Sequence, residues 1–363
     1  MPLQAERNGL VSPAAEPAGG QSSRLLYPDL LRSLAILLVV GLHVVGGAAS
    51  DGALLGTPLW WCCDVAGLLG RMGVPLFFML SGFLLLRDPR TADPLPFYRR
   101  RFLRLLPAFL FWDAVCFVFR GITEGRGFSP MLFLSELVLR GSDYHLWFIY
   151  QISALYLLAP FLRMIVERAP RRSLWILLGV ILLVPTVLRL LNVLQHVLWI
   201  SPFAAPVEGY AGFFLLGWLL GTGDYPPRRR RAIFALGLLA LAAAAVGNRL
   251  VSYPEHMNMY FNEGYALNHY FTASACFLLA RYAAGRMGAR WRKPAGELSR
   301  LSFGVYFCHV LLLRLFASLL TGWGLPANGA LYFVCLFFLT ALSAAAVAWV
   351  FSRIPVLKRL VQS

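Results

Sequence analysis

The chain has 363 residues, of which 59% are hydrophobic and 14% are charged, and its mean hydropathy is +0.66. A soluble domain of this length is not expected to hide so much apolar surface in one core, so the composition excludes a soluble protein and predicts an all-α, polytopic membrane protein. A net charge of +16 would favour nucleic-acid binding in a soluble protein, but here most arginines stand in short segments between apolar runs, where they set topology.

The chain divides into a membrane domain and two short tails. Residues 1–24 are rich in Pro, Gly, Ala and Ser and have no apolar periodicity, so they predict a flexible cytoplasmic tail. Residues 25–355 predict a ten-helix domain, and 356–363 a short cytoplasmic tail. Apart from the short, glycine-rich sixth, each span is an apolar run of about 17–22 residues. The predicted spans are 30–49, 65–86, 103–120, 146–166, 173–193, 209–223, 232–248, 265–284, 301–320 and 329–351.

The distribution of basic residues predicts the orientation. If the N-terminus is cytoplasmic, most of the 33 Lys and Arg residues fall in segments on that side. The other side holds only Arg120, Arg126, Arg140 and Arg249. The positive-inside rule therefore predicts a plasma (inner) membrane protein with both termini in the cytoplasm. The six cysteines lack the spacing of a metal site or a disulfide framework, so no metal site is expected. No permanently bound cofactor is expected either.

The first span carries the main polar pattern of the chain. On a helix, Arg32 lies one turn after Asp29, and His43 lies about three turns after Arg32, so all three project from roughly one face. Arg32 and His43 are about 16 Å apart along the axis, which carries the pattern from the membrane surface into its interior. His43 is interpreted either as a packing histidine or as a general base, and the alignment favours the base.

A second basic cluster stands at the start of the third span, in the sequence FYRRRFLRLLP. Arg101 and Arg104 are spaced i, i+3, so on a helix they share a face and can hold phosphate together. Ordinary membrane anchoring by positive charge is the alternative interpretation.

Weaker candidates lie in the second span. Arg71 follows Asp64 by seven residues, so the two can pair along one helix face. Ser81 has no base near it in sequence, and together with Gly82 it favours close helix packing over a nucleophile.

Further candidates stand in later spans. His145 and Trp147 begin the fourth span, where an interfacial aromatic belt explains the tryptophan. His309 lies within the ninth span, five residues before Arg314. A structural role for each lone histidine is the favoured interpretation, and catalysis is the alternative.

In this order, the motifs resemble those of the integral-membrane acyltransferases called acyltransferase family 3, and the likeness covers about residues 25 to 355. The matching motifs are D-x-x-R followed by an apolar run and a histidine (Asp29, Arg32, His43), GVPLFFMLSGF at 73–83, R-x-x-R-x-x-P (Arg101, Arg104, Pro107), HLWF at 145–148 with Tyr156 and Pro160, and GVYFCH at 304–309.

The resemblance implies transfer of an acyl group, usually acetyl from acetyl-CoA, to a hydroxyl of an extracytoplasmic carbohydrate or lipid-linked sugar. It implies that His43 is the essential histidine, and that Arg32, Arg101 and Arg104 match arginines tied to activity or acyl-CoA handling. We expect Arg32 to orient substrate or to complete a pair with Asp29, and Arg71, Ser81, His145, Trp147 and His309 to support the site. The expected partners are acyl-CoA, a carbohydrate or glycolipid acceptor and the lipid bilayer, with no nucleic acid; the sequence does not indicate the oligomeric state.

Two other classes of function compete with this one. A proton-coupled transporter or flippase for a glycan or lipid would use the same intramembrane charges without acyl-CoA. A non-catalytic membrane scaffold would leave His43 and Arg71 without a role. The gathering of the arginines at one end of the polar stripe favours the acyltransferase over both.

Overall fold

The computed structural model describes residues 26–194, 205–258, 260–264 and 266–362, and only the backbone of 183–194, 205–209 and 289. The predicted tail over 1–24 lies outside these residues. The described residues form α-helices joined by short segments and no named strand; one isolated bridge pairs Tyr253 with His256. The helices are α1 (Leu26–Ala49), α2 (Pro58–Gly70), α3 (Gly73–Arg87), α4 (Pro94–Thr123), α5 (Pro130–Leu139), α6 (Trp147–Arg168), α7 (Arg171–Leu194), α8 (Ala205–Thr222), α9 (Pro227–Val251), α10 (Leu267–Ala283), α11 (Ala289–Gly322) and α12 (Ala330–Arg353).

Two helices, α2 and α5, begin at residues that favour a helix start. Pro58 and Pro130 stand at the starts of α2 and α5, where the missing proline N–H costs no intrahelical hydrogen bond. The side chains of Thr57 and Ser129 cap these helices by accepting hydrogen bonds from backbone N–H groups in the first turn.

Within the described residues, seven helical segments are long and apolar enough to cross a membrane, and Tyr210–Thr222 is a shorter apolar helix. The multi-pass, all-α membrane character is therefore confirmed. The seven are Leu26–Ala49, Pro58–Arg87, Pro94–Thr123, Pro130–Arg168, Pro227–Val251, Arg290–Gly322 and Ala330–Arg353. A helix covers each of the ten predicted spans, but the number ten and the orientation of the termini remain predictions.

Side-chain contacts show which helix ends lie together. Arg163 near the end of α6 donates to the carbonyl of Leu86 at the end of α3, at 3.0 Å. Arg171 at the start of α7 and Arg281 near the end of α10 both donate to carbonyls of the last turn of α8. Cations stabilise helix C-termini because the last carbonyls lack intrahelical partners. We call this side of the bundle, where α1 also begins, the arginine-rich end.

Helix α1 lies at the centre and packs against α2, α3, α10, α11 and α12. Its first turns are tied to α11 by two hydrogen bonds, from Ser33 Oγ to Ala295 O and from Ser299 Oγ to Asp29 Oδ1, both 2.7 Å long. This packing places one face of α1 beside α11 over its whole length. The polar residues on that face therefore meet side chains of α11.

The C-terminal residues 354–362 return to the arginine-rich end of the bundle. The indole N–H of Trp112 donates to the carbonyl of Leu360 at 3.0 Å. The side chain of Val361 is fully buried against Gly304 of α11. Because Phe303 and Tyr306 of the same α11 turn line a cavity, this segment packs directly behind the cavity wall.

Candidate functional site

A cavity of about 100 Å³ opens at the arginine-rich end, between α1, α3, α4, α6 and α11. We call it the arginine cavity, because Arg32, Arg101 and Arg104 line it. Most of its other lining side chains are apolar or aromatic, and none of those described is a carboxylate. The positive charges of the three arginines that line the cavity favour an anionic ligand there.

The predicted i, i+3 relation between Arg101 and Arg104 holds because α4 begins at Pro94, before both arginines. The guanidinium carbon of Arg101 lies 5.6 Å from the ring centre of Phe97 and 5.7 Å from that of Tyr156. Cation–π contacts of this kind orient a guanidinium without neutralising it. Arg101 therefore keeps its charge available to a ligand in the cavity.

A second, larger pocket of about 580 Å³ opens on the other side of the bundle. We call it the histidine pocket. His43 lines it together with Arg314 and Tyr332, and Asp51 and Asn328 add polar groups at the ends of neighbouring segments. Its mixed polar and apolar lining suits a neutral ligand that carries hydroxyl groups.

Three histidines and two tyrosines lie between the two spaces. The ring centre of His309 is 5.2 Å from those of both His43 and His145. Tyr144 packs on the other side of His43, also at 5.2 Å. Tyr306, which lines the arginine cavity, has its ring centre 6.2 Å from that of His309. Aromatic and imidazole rings thus connect the arginine cavity to the histidine pocket.

The segment between α5 and α6 holds its part of this cluster by a buried ion pair. The carboxylate of Asp143 accepts a hydrogen bond from Arg314 Nη2 at 3.0 Å, and its side chain has no exposed surface. His145 follows two residues later, with its Nδ1 atom 3.9 Å from Asp143 Oδ1. The hydroxyl of Tyr306 donates to the carbonyl of His145 at 2.7 Å. These contacts fix the segment against α11.

The polar residues predicted on α1 fall at two places. Arg32 lines the arginine cavity and His43 lines the histidine pocket, so the stripe predicted along one face of α1 joins the two spaces. Asp29 lines neither; it is buried and accepts the hydrogen bond from Ser299.

Three of the weaker candidates lie elsewhere. Arg71 sits at the break between α2 and α3, where its Nε donates to the carbonyl of Asn262. No direct ion pair with Asp64 forms among the described residues; the Asp64 carboxylate accepts from Asn248 Nδ2 at 2.8 Å instead. Ser81 is half-buried on α3 and lines neither space.

Trp147 also lies outside the site. Its ring packs against Tyr210 at 5.4 Å, and the residue is 36% exposed. Trp147 is the first residue of α6, and its place in an interfacial aromatic belt stays a prediction.

Sequence reasoning missed the partners that organise the histidines. Asp143 stands two residues before the predicted His145, which was a usable signal, but its partner Arg314 lies 171 residues away from Asp143. Tyr156 and Tyr306 belong to the motifs quoted for the resemblance, yet only the fold shows that both line the arginine cavity. Among the described residues, no group of three or more His, Cys, Asp or Glu side chains is arranged to hold a metal ion.

The described residues thus form a multi-pass helical bundle with a cationic cavity at one end, a polar pocket at the other and three histidines between them. The chain matches the family model described as "Acyltransferase domain" over residues 25–349. It therefore belongs to acyltransferase family 3 and is a membrane acyltransferase. Compared with curated proteins and with solved structures, it shows no significant match.

Proposed function

We propose that this acyltransferase moves an acyl group, most simply acetyl, from cytoplasmic acyl-CoA to a hydroxyl of an extracytoplasmic carbohydrate or lipid-linked sugar. The observation that carries the proposal is the position of His43, which lines the histidine pocket while Arg32, eleven residues earlier on the same helix, lines the arginine cavity. A donor and an acceptor entering from opposite sides would meet at this helix.

The donor side is argued from charge. Coenzyme A carries several phosphate charges, and guanidinium groups bind phosphate through charge-assisted, paired hydrogen bonds. Arg104 is exposed, which suits contact with the nucleotide phosphates of the donor. Arg101 is only partly exposed, which suits contact with the part of the donor that enters the cavity. A cavity of about 100 Å³ has room for the acyl end of the thioester arm but not for the whole coenzyme, so the nucleotide stays outside.

The chemistry requires one base and one proton. His43 takes the proton from the acceptor hydroxyl as its oxygen attacks the thioester carbonyl carbon. The new C–O bond forms, the C–S bond breaks, and the leaving thiolate recovers the proton from the imidazolium. The transfer therefore needs no metal and no net proton exchange with either side of the membrane, and Arg32 is positioned to orient the donor.

The proposal is tested by acetyl-CoA turnover of the purified protein in lipid nanodiscs, measured as release of free CoA. We expect His43→Ala to abolish acceptor-dependent turnover, because it removes the base, while leaving expression and membrane insertion intact. His256→Ala is the matched control, since His256 is an exposed histidine outside both spaces. Normal turnover by His43→Ala would rule out the assigned role.

Donor binding is tested separately by two charge-matched double variants on the same helix. Arg101→Ala/Arg104→Ala is expected to weaken acyl-CoA binding about tenfold to hundredfold through lost charge-assisted contacts. Arg99→Ala/Arg100→Ala removes the same charge outside the cavity and is expected to change Kd less than about threefold. Folded wild-type protein that binds no acyl-CoA would favour the transporter or flippase over the acyltransferase mechanism described above.

A further inference from the structure

The protonation of His309 is set by its own helix. Its Nδ1 atom lies 2.6 Å from the carbonyl oxygen of Tyr306 and 3.2 Å from that of Val305. A carbonyl oxygen only accepts, so Nδ1 must carry the hydrogen. In the neutral imidazole, Nε2 then carries a lone pair. This atom is fully buried and has no hydrogen-bond partner among the described residues.

A buried acceptor without a partner is costly, and a donor stands close to it. The ring centres of His309 and His43 are 5.2 Å apart, with the rings tilted by 38°. Two imidazoles joined by one N–H···N hydrogen bond of about 2.9 Å have ring centres about 5 Å apart. A small rotation of the His43 ring therefore brings one of its nitrogens into line with His309 Nε2.

No carboxylate in the described part of the chain offers His43 the same kind of acceptor. Among the described residues, no carboxylate forms an ion pair with His43, and Asp143, the acid nearest the cluster, is bonded to Arg314. The titratable and charged groups around His43 are Asp51, Arg71, Asp143, Tyr144, His145, His309 and Arg314. Among the titratable groups of the described residues, those whose rings face His309 are His43, His145 and Tyr306.

We propose that His309 is the positioning residue for His43: its Nε2 lone pair accepts a hydrogen bond from the His43 ring and stabilises the imidazolium that forms during acyl transfer. This inference rests on the proposed role of His43 as base. When His43 removes the acceptor proton, both of its nitrogens become donors. One nitrogen donates back to the reacting atoms and the other donates to His309. His309 therefore takes the place of the carboxylate that stabilises the imidazolium in other histidine bases.

The test compares two variants that separate the two nitrogens of His309. Asparagine places its amide near the position of Nδ1, so His309→Asn can keep the contact with Tyr306 but loses the acceptor facing His43. Glutamine extends to the position of Nε2, so His309→Gln keeps an acceptor there. His269→Asn serves as the control, because His269 is an equally buried histidine that lies in neither space.

The first readout does not depend on turnover. Diethyl pyrocarbonate modifies the unprotonated imidazole, and mass spectrometry of the His43 peptide gives the midpoint of its pH dependence. A hydrogen bond to a charged group is worth about one to two pH units in this midpoint. We expect His309→Asn to lower the midpoint by that amount, His309→Gln to lower it less, and His269→Asn to leave it unchanged.

The second readout is steady-state turnover. We expect kcat of His309→Asn to fall about tenfold to hundredfold with the KM for acyl-CoA within about twofold, and His309→Gln to recover part of kcat. A folded His309→Asn protein with the wild-type midpoint would overturn the inference even if His43 proves to be the base. Absent turnover in the wild type would overturn the proposed function, and the midpoints would still decide the contact between the two histidines.

Discussion

At the scale of single residues, two buried carboxylates, Asp113 and Asp143, hold the segment that carries part of the histidine cluster. Asp113 accepts hydrogen bonds from the backbone N–H and the hydroxyl of Ser142, at 2.7 and 2.9 Å. Asp143 follows at once and binds Arg314. Two buried carboxylates therefore anchor the start of the short segment that places Tyr144 against His43 and His145 against His309.

The same network continues to the surface. Arg120 forms an ion pair with Glu124 at 2.9 Å, and Arg126 joins Glu124 at 2.7 Å. The hydrogen bond from Arg120, helped by the charges of Arg126 and Arg314, holds the pKa of Glu124 below its usual value. Glu124 therefore stays ionised as the pH falls, and this contribution to stability is lost only when the pH drops through the lowered pKa.

The ion pair of Asp143 and Arg314 gives a prediction at this scale. Arg314→Gln leaves the buried Asp143 carboxylate without its cation, and we expect a loss of about 2–4 kcal/mol in the free energy of unfolding. Arg314→Gln/Asp143→Asn removes both charges and should recover a large part of that loss. Thermal unfolding in detergent measures both. A double variant no more stable than Arg314→Gln would show that the unpaired Asp143 carboxylate is not the cause of the loss in the free energy of unfolding.

At the scale of helices, α3 and α8 approach so closely that their backbones touch through glycine. A Cβ atom added to Gly82 would lie 1.8 Å from the carbonyl oxygen of Phe214, and one added to Gly217 would lie 1.9 Å from that of Met79. Small residues permit this approach because they carry no bulky side chain between the two backbones. In lipid the hydrophobic effect does not drive helices together, so close van der Waals packing stabilises their association instead. The Ser81-Gly82 pair was predicted to allow close approach, and the contact at Gly82 confirms it.

This contact predicts the effect of a single methyl group. Gly217→Ala forces α3 and α8 apart and should destabilise the protein by at least about 1–3 kcal/mol. Gly179→Ala is the matched control, because a Cβ at Gly179 of α7 meets nothing within 4 Å. Alanine there should be neutral or slightly stabilising, since glycine is the poorer helix former. Equal melting temperatures for the two variants would contradict the packing argument.

At the scale of the whole molecule, the two ends of the bundle differ in chemistry. The arginine-rich end holds Arg163, Arg171 and Arg281, which bind helix C-terminal carbonyls. The other end holds the acidic side chains of Glu124, Glu136 and Asp143 with their arginine partners. Cytoplasmic segments of membrane proteins carry an excess of Lys and Arg, so we expect the arginine-rich end to face inward.

Two open glycines test this orientation. Gly127 lies between α4 and α5, and Gly285 follows α10 at the arginine-rich end; a side chain at either position meets nothing within 4 Å. In a Cys62→Ser background, a membrane-impermeant maleimide should label Gly127→Cys in intact cells. It should label Gly285→Cys only after lysis. The reverse pattern would overturn both the orientation and the cytoplasmic origin of the donor.

The amino-acid sequence by itself determined the class of fold and the residues worth testing. Long apolar runs permit only membrane helices, because backbone groups in lipid must be satisfied within the segment. Helical periodicity then placed Arg32 and His43 on one face and paired Arg101 with Arg104, since these relations lie within single helices and follow from 3.6 residues per turn.

Only the tertiary structure decided what those residues face. That His43 meets His309, that Tyr156 lines the arginine cavity, and that Arg314 binds Asp143 all depend on contacts between helices far apart in the chain. The expected pairing of Asp64 with Arg71 shows the same limit, because Asn248 and Asn262 from other elements take their hydrogen bonds instead. Periodicity describes one helix at a time, whereas the neighbours of a face are chosen by how all the helices pack, and a helix surface offers several packings of similar energy.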